Sequence, residues 1–428
     1  MFNRWTRTPA VIVSAVALVL IFYLLHKSNS VEPFDLNQLC GLKRPLPSPI
    51  KSKESQHVHY LFDTEDISSQ TDLRMEDHHW AEGDIRGAFY MVVENTQLQK
   101  ARESIRSVQD RMANSTYPWI ILNSQKFTPS FKNYVRMASP TTRIYFGQID
   151  LEAWSFPYWI DSDRADNAMK RMLHYHIDHA NSQYFHQLQR YQSGLFIHHP
   201  LFDTVDYVWH VEPGTTFSCQ MEDPFRRLSA SGKKIGFALT YRENPASMSS
   251  LWPATVQFSR QYSPVIRPTD STVMPWLINS NLEYNFCHIS SAFQIVETAF
   301  IRSDAYQLYF NYLDFVGGFF YERWTASAVQ TLATAMFLKR KEILFLNEVG
   351  YAENRGEHCP FDYKLLQTCA CDFQDTHGNV FLMKEEKSHL KSYYVDFSDN
   401  SCTVDLLRYI SPGTIEEMAN FARSKLVE

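Results

Sequence analysis

The alternation of apolar and polar stretches along the chain sets the expected architecture. Residues 87–93, Gly-Ala-Phe-Tyr-Met-Val-Val, form an apolar run of strand length. Residues 97–112 follow with Ile105 and Val108 on a helical period, which predicts an amphipathic helix. Residues 117–122, Tyr-Pro-Trp-Ile-Ile-Leu, predict a second buried strand. A strand–helix–strand order places the two strands parallel in one sheet. Further along, residues 165–190 read as a long helical region, 207–211 and 234–239 as strands, and 303–313 as a helix. Thr414-Ile-Glu-Glu417 reads as a capping box before a short terminal helix. The strand at 207–211 runs directly into Glu212-Pro213-Gly214. In open α/β sheets ligands gather at the carboxyl ends of strands, so Glu212 is the first candidate functional group. An acidic residue in a surface turn is the competing reading.

Ahead of this pattern the chain has a different character. Residues 9–25 are apolar apart from Ser14 and Tyr23, follow Arg4 and Arg7, and are followed by no small-residue cleavage signal. This predicts an uncleaved signal anchor at 9–25, a cytoplasmic tail at 1–8, a polar and irregular stem at 26–80, and a lumenal domain at 81–428. A short anchor suits the thinner bilayers of the early secretory pathway.

Composition narrows the classes. A hydrophobic fraction of 44% and a charged fraction of 21% support a large folded core rather than wholesale disorder. The net charge of −6 argues against nucleic acid as a partner. The aromatic fraction of 14% suits sugar recognition, but aromatic cores are the commoner cause. Seven cysteines are present, so at least one is left free or pairs between chains. Cys359, Cys369 and Cys371 lack the spacing of common zinc knuckles, and in a secretory compartment disulfides are the better reading. Asn114-Ser-Thr116 is a glycosylation sequon. His174, His176 and His179 look like a metal cluster, but on one helix among polar residues they read as solvated. No Walker loop, Rossmann glycine fingerprint, His-Glu-x-x-His or Gly-x-Ser-x-Gly occurs.

Several ordered blocks carry a resemblance. They include Ser104-Ile-Arg-Ser-Val-Gln-Asp-Arg111, Glu152-Ala-Trp-Ser-Phe-Pro-Tyr-Trp-Ile160, Trp209-His-Val-Glu-Pro213, Ser250-Leu-Trp-Pro253, Gly317-Gly-Phe-Phe-Tyr-Glu-Arg-Trp324 and His358-Cys-Pro360. Together they resemble the fungal α-1,2-mannosyltransferases of glycosyltransferase family 15, over roughly residues 86–373. The resemblance implies a GT-A-type α/β fold, with a mixed, largely parallel central sheet flanked by helices. It implies a single-pass type II protein of the Golgi membrane, the endoplasmic reticulum being the other early compartment. It further implies transfer of mannose from GDP-mannose, with retention and with Mn²⁺, to mannosylated O- or N-linked glycans on glycoprotein acceptors. A diphosphate leaving group calls for a divalent cation, and hard oxygen ligands suit Mn²⁺. By resemblance Glu212 and Glu353 are metal positions, and Phe185, Arg190, Glu322 and Arg323 are donor-site positions.

The same alignment marks departures. Gln294 stands where the family has its proposed glutamate nucleophile, and an amide cannot ionise. Loss of one positioned proton-transfer group costs roughly 10²–10⁴ in rate. Phe185 replaces a tyrosine, with Tyr184 beside it on another face of the helix. His210 replaces an arginine, Thr325-Ala326 replace Gly-Asp, Glu353 replaces a histidine, and Glu94-Asn95 replace Arg-Asn. Glu297 substitutes for Gln294 only if the segment is helical, because in a strand the two positions face opposite sides. Glu322 and Arg323 have two open readings: holding acceptor or diphosphate, or a buried ion pair that orders the loop. Two functions follow: a mannosyltransferase with weak activity, or a non-catalytic family member that binds glycan or a partner in the Golgi.

Overall fold

The computed structural model describes His78, Trp80 and residues 83–112, 115–354, 356–371, 384–386, 389–391 and 401–425. The expected tail and anchor, nearly all of the stem, Cys40 and Asn114 lie outside the described residues. Among the described residues no helix is long and apolar enough to cross a membrane.

Twelve strands matter for the site. They are β1 (Gly87–Val92), β2 (Trp119–Asn123), β3 (Ile144–Gln148), β4 (Tyr207–Val211), β5 (Thr216–Phe217), β6 (Ile235–Phe237), β7 (Thr240–Arg242), β8 (Cys287–Ile289), β9 (Phe293–Glu297), β10 (Ile343–Phe345), β11 (Tyr351–Glu353) and β12 (Gly356–His358). Seven of them form the central sheet in the order β10-β6-β9-β4-β1-β2-β3. β1 lies parallel to both β2 and β4, and only β9 runs against its neighbours β4 and β6. The mixed, largely parallel sheet expected from the sequence is thus present. A smaller sheet, β12-β11-β5, and the pair β7-β8 sit beside it.

The helices explain themselves locally. Leu98–Arg111 (α1) buries Ala101, Ser104, Ile105 and Val108, the three- and four-residue spacing of one helical face. Each fully buried aliphatic side chain contributes roughly 1.5–3 kcal/mol. Pro129–Ala138 (α2) starts at a Thr128 cap whose hydroxyl accepts from the Phe131 N–H at 3.1 Å, with proline at the first helical position. Both helices cover the sheet face that carries Phe89, Met91, Trp119, Ile121, Trp209, Val211, Phe293 and Ile295. Phe89 stacks on Trp119 at 4.7 Å between ring centres, and Trp209 packs edge-on to Phe293. Much of the aromatic content is therefore core.

The long helical region expected over 165–190 is two helices, Ser162–His174 (α3) and Gln183–Arg190 (α4). Between them His176 and His179 take positive φ, which no helix permits. The three histidines accordingly do not share a helix. After α4 the backbone widens into a π turn at Tyr191–Leu195. Asp304–Val316 (α5) ends at Gly317, whose φ of +82° suits glycine, and a Cβ there would lie 2.6 Å from Ile160. Ala326–Phe337 (α6) is buried along its whole length. The terminal helix is longer than expected and starts earlier, at Pro412, so Ser411 rather than Thr414 stands at its entry.

Six cysteines form three disulfides, Cys219–Cys369, Cys287–Cys402 and Cys359–Cys371. The disulfide reading holds over the zinc alternative. Two of the bridges clasp the small sheet: β5 leads into Cys219, and β12 into Cys359.

Candidate active site

A cleft of about 300 Å³ opens at the carboxyl ends of β4 and β7. β4 delivers its last residue, Val211, in register with Phe293 of β9, and Glu212 follows, exposed at the rim. The turn after it is pinned by α1. The buried Ser104 hydroxyl accepts from the Gly214 N–H at 2.9 Å and donates to the Glu212 carbonyl at 3.3 Å. Gly214 sits at φ +97°, open to glycine and strained for other residues. This turn aims Glu212 and Thr215 into the cleft.

The opposite wall comes from the end of β7 and the block after α5. Glu243, buried, accepts from Arg323 Nη2 at 2.8 Å. The Arg323 guanidinium lies 5.6 Å from the Phe185 ring centre, and His179 stacks on Phe185 at 4.8 Å. Arg323, Phe185 and His179 thus form one layer along the cleft. Gly318 lets this block close, because a Cβ there would fall 2.1 Å from the Trp324 ring. Glu353 at the end of β11 completes the lining, its carboxylate accepting from Ser290 Oγ at 2.7 Å. The N-terminus of α6 also faces the cleft through Thr325 and Ser327, and its Ala326 N–H is taken by Gln189 Oε1 at 2.8 Å.

Behind the cleft a row of side chains crosses the sheet. Tyr90, His210 and Gln294 are direct neighbours in register on β1, β4 and β9. All three are largely buried, and none of the row carries a lasting charge. Burial lowers His210 to about 4, against the opposing pull of the Ser291 carbonyl. That carbonyl accepts from Nδ1–H, so Nε2 is the acceptor for the Gln192 amide at 2.8 Å. Gln294 Nε2 is buried with no partner among the described residues.

Four of the seven expected site residues, Glu212, Glu353, Phe185 and Arg323, line one cleft. Gln294 lies in the buried row rather than on the cleft wall, at 3% exposure. Two expectations are corrected. Arg190 is fully buried, gives Nε and Nη2 to Asp314 at 2.6 and 2.9 Å, and gives Nη1 to the Ala153 carbonyl at 2.9 Å, so its donors are spent inside the fold. Glu322 accepts from Ser249 Oγ, the Ser250 N–H and Trp324 Nε1, and so orders the loop before residue 251 instead of facing the cleft. The ion-pair reading applies to Arg323, through Glu243. Glu297 sits at the far end of β9 within 3.6 Å of Lys234, on the side away from Gln294, and cannot replace it. Tyr184 packs on Trp154, and its hydroxyl is pushed well up by burial, with the Glu94 and Glu212 carboxylates adding to the shift.

Sequence reasoning missed Glu243, Asp178 and Gln189, and set His179 aside as solvated. Glu243 had the same signal as Glu212, a strand that ends in an acid followed by a turn, here Asn244-Pro245. The sequence reading places His179 on one helix with His174 and His176, whereas its position in the cleft depends on a helix break.

The lining carries four carboxylates, Asp178, Glu212, Glu243 and Glu353, against one guanidinium, Arg323. Oxygen donors of this kind suit a hard divalent cation. Among the described residues the one group of three metal-type ligands is Cys219, Cys369 and Cys371, which the disulfides already engage. The carboxylates line the cleft without forming a three-ligand group among the described residues, so a cation held here would need oxygens from a bound ligand as well.

Comparison with known proteins agrees with this geometry. The family model described as glycolipid 2-alpha-mannosyltransferase, glycosyltransferase family 15, matches residues 50–396. The alpha-1,2 mannosyltransferase KTR1 of Saccharomyces cerevisiae is 36% identical over 293 residues, 67% of this chain and 74% of that protein. The O-glycoside alpha-1,2-mannosyltransferase omh1 of Schizosaccharomyces pombe is 33% identical over 291 residues, 67% of this chain and 74% of that protein. The crystal structure of the S. cerevisiae mannosyltransferase Ktr4p in complex with GDP superposes with a TM-score of 0.67 at 26% identity, covering 90% of this chain and 95% of that one. Core-mannan synthase A of Aspergillus fumigatus, in an Mn/GDP form, shares the fold with a TM-score of 0.67 at 24% identity, over 79% of this chain and 90% of that one. The sheet order, the carboxylates at the strand ends and these likenesses together show that the chain belongs to the α-1,2-mannosyltransferases of glycosyltransferase family 15, as a divergent member with a GT-A-type fold.

Proposed function

We propose that this chain is a slow α-1,2-mannosyltransferase of the Golgi membrane, taking mannose from GDP-mannose and passing it to mannosyl residues of O- or N-linked glycans. The observation that carries the reading is the acid excess of the cleft, four carboxylates against one paired guanidinium. A nucleoside diphosphate is itself anionic and is repelled by such a lining unless a cation bridges the two. Glu212 and Glu353 are the residues that would hold Mn²⁺, together with diphosphate oxygens. The ion would neutralise charge that builds on the leaving diphosphate. Phe185 and His179 supply a flat aromatic wall, and Arg323, fixed by Glu243, supplies a donor edge. The three disulfides suit a lumenal compartment. The expected anchor at residues 9–25 supports a type II placement there.

Slow transfer follows from the neutral row behind the cleft. With Gln294 in place of a carboxylate and Ala326 in place of an acid, no ionisable group stands at either position. The same observation favours the second reading, a non-catalytic family member that binds glycan or a partner protein. Calorimetric titration of GDP with and without Mn²⁺, followed by a mannose-transfer assay, separates the readings. Mn²⁺-dependent GDP binding with slow turnover is the expected result. Absence of turnover selects the second reading, and GDP binding that ignores Mn²⁺ overturns the transferase reading.

A further inference from the structure

A second cavity, of about 530 Å³, lies at the opposite edge of the sheet from the cleft. Ile85, Tyr117 and Arg143 line it, and each stands just ahead of a parallel strand, β1, β2 or β3. The active-site cleft lies at the other ends of the strands. Strands of about five residues separate the two by roughly 17 Å.

The lining has a definite chemistry. Trp80, whose ring centre lies 4.4 Å from that of His78, and Tyr117 contribute half-buried aromatic rings to the lining. Tyr117 is held in place by Phe225, 4.5 Å away, and by its hydroxyl, which donates to Asp223 Oδ2 at 2.6 Å. That bond leaves the phenol oxygen able to accept. Asp223 is itself fixed, because Oδ1 accepts from the Arg226 N–H at 3.1 Å. Arg143 is exposed at the rim, and Arg226 and Asp84 complete the polar ring. Two carboxylates stand against two guanidinium groups, with His78 as a further titratable side chain, so the formal charge balances with the imidazole neutral, in contrast to the acidic cleft. The balance disfavours phosphates, nucleotides and charged peptides. Flat apolar faces, ringed by groups that accept and donate several hydrogen bonds, complement a pyranose, which has C–H faces and a rim of hydroxyls. The volume falls in the range of small-ligand sites.

We propose that this cavity is a second, non-catalytic carbohydrate site that holds a neutral mannose oligosaccharide on the far side of the domain from the transfer cleft. It would keep a multiply glycosylated acceptor on the protein between encounters of its chain ends with the cleft, raising their effective concentration there.

The test is calorimetric titration of α-1,2-mannobiose into the full chain with the cleft loaded with GDP and Mn²⁺. Binding is expected to persist in Glu212→Gln and to weaken by at least about tenfold in both Trp80→Ala and Arg143→Ala. Arg143 is exposed, so its truncation leaves the fold intact and guards against a Trp80 variant that merely misfolds. Binding that is lost in Glu212→Gln, or that both other variants leave unchanged, overturns the proposal, as does no binding at millimolar sugar. GDP titration of the same variants reports on the cleft separately, so failure here is distinct from failure of the transferase reading.

Discussion

Arg190 gives the sharpest test, because sequence and structure assign it opposite roles. The resemblance makes it a donor-binding residue, whereas the fold makes it a staple between α4, α5 and the segment at Ala153. The Arg190 and Asp314 side chains are 0% and 3% exposed. Removing the aspartate alone takes the Asp314 counter-charge from a guanidinium in the interior, a loss of about 3–5 kcal/mol. Replacing both partners, as in R190M/D314L, removes the charges together and leaves the Ala153 carbonyl short of a donor, about 1–3 kcal/mol. Asp314→Ala should therefore lower the melting temperature on the order of 10 °C, and the double variant should recover more than half of that loss. The measurement is thermal unfolding with disulfides intact, scanned at one rate, alongside Mn²⁺-dependent GDP titration of the folded fraction. The folded double variant should bind GDP within about threefold of the wild type, ~0.7 kcal/mol. A double variant that melts normally and has lost GDP shows that Arg190 contacts the donor after all. A single variant no worse than the double shows that the pair carries no buried charge.

Glu212→Gln should weaken Mn²⁺-dependent GDP binding by at least about tenfold, ~1.4 kcal/mol, while leaving the melting temperature without metal unchanged, since Glu212 is exposed; unchanged GDP affinity removes it from the metal site. His210 and Gln294 are direct cross-strand partners, so Gln294→Glu alone buries a carboxylate opposite a neutral ring and should destabilise. H210R/Q294E restores opposite charges, and should fold better than Gln294→Glu alone and transfer mannose faster than the wild type; equal rates in all three proteins refute the assignment of slow transfer to this row. Desolvation raises Glu357 to about 7, against the opposing pull of His358. Its folded value lies above the unfolded one, so its contribution is present below about pH 4.5 and lost as pH rises through 7. Glu357→Gln should therefore raise the melting temperature at pH 8 relative to wild type and leave it nearly unchanged at pH 4; a shift of equal size at both shows that the carboxyl is not desolvated.

What was legible in the chain was what repeats with a short period or sits at an abrupt change of pattern. β1, α1 and β4 follow from unbroken or three-to-four spaced apolar runs, and Glu212 from the sudden Pro-Gly after one of them. Parallel pairing of β1 with β2 follows from strand–helix–strand order alone. Illegible were the features fixed by distant partners. Arg190 reads as a conspicuous cation in the sequence, and only Asp314, more than a hundred residues later, makes it structural. Glu322 and Arg323 are adjacent, yet one orders a loop and the other faces the cleft, because an extended backbone turns neighbours to opposite sides. The break between α3 and α4 needs positive φ at two histidines, a choice that local propensity does not make. The pairing of Cys219 with Cys369 likewise waits on the small sheet that brings β5 to β11.

The order of the central sheet has a consequence for how the chain is made. β4 fills the middle of the sheet, against β1 on one side and β9 on the other. It leaves the ribosome roughly a hundred residues after β1, and at ~5–20 residues per second that is a wait on the order of 5–20 s. Throughout it, one edge of β1, whose six residues are all buried in the finished fold, has backbone donors and acceptors with no neighbour. The opposite edge pairs early with β2, and β2 with β3, so the nascent unit is a three-stranded sheet open at β3, as in the finished fold, and also at β1. Such an edge can pair with a strand of another chain, so the time before β4 arrives is an interval in which the nascent sheet is open to misassociation at a strand that ends in the core.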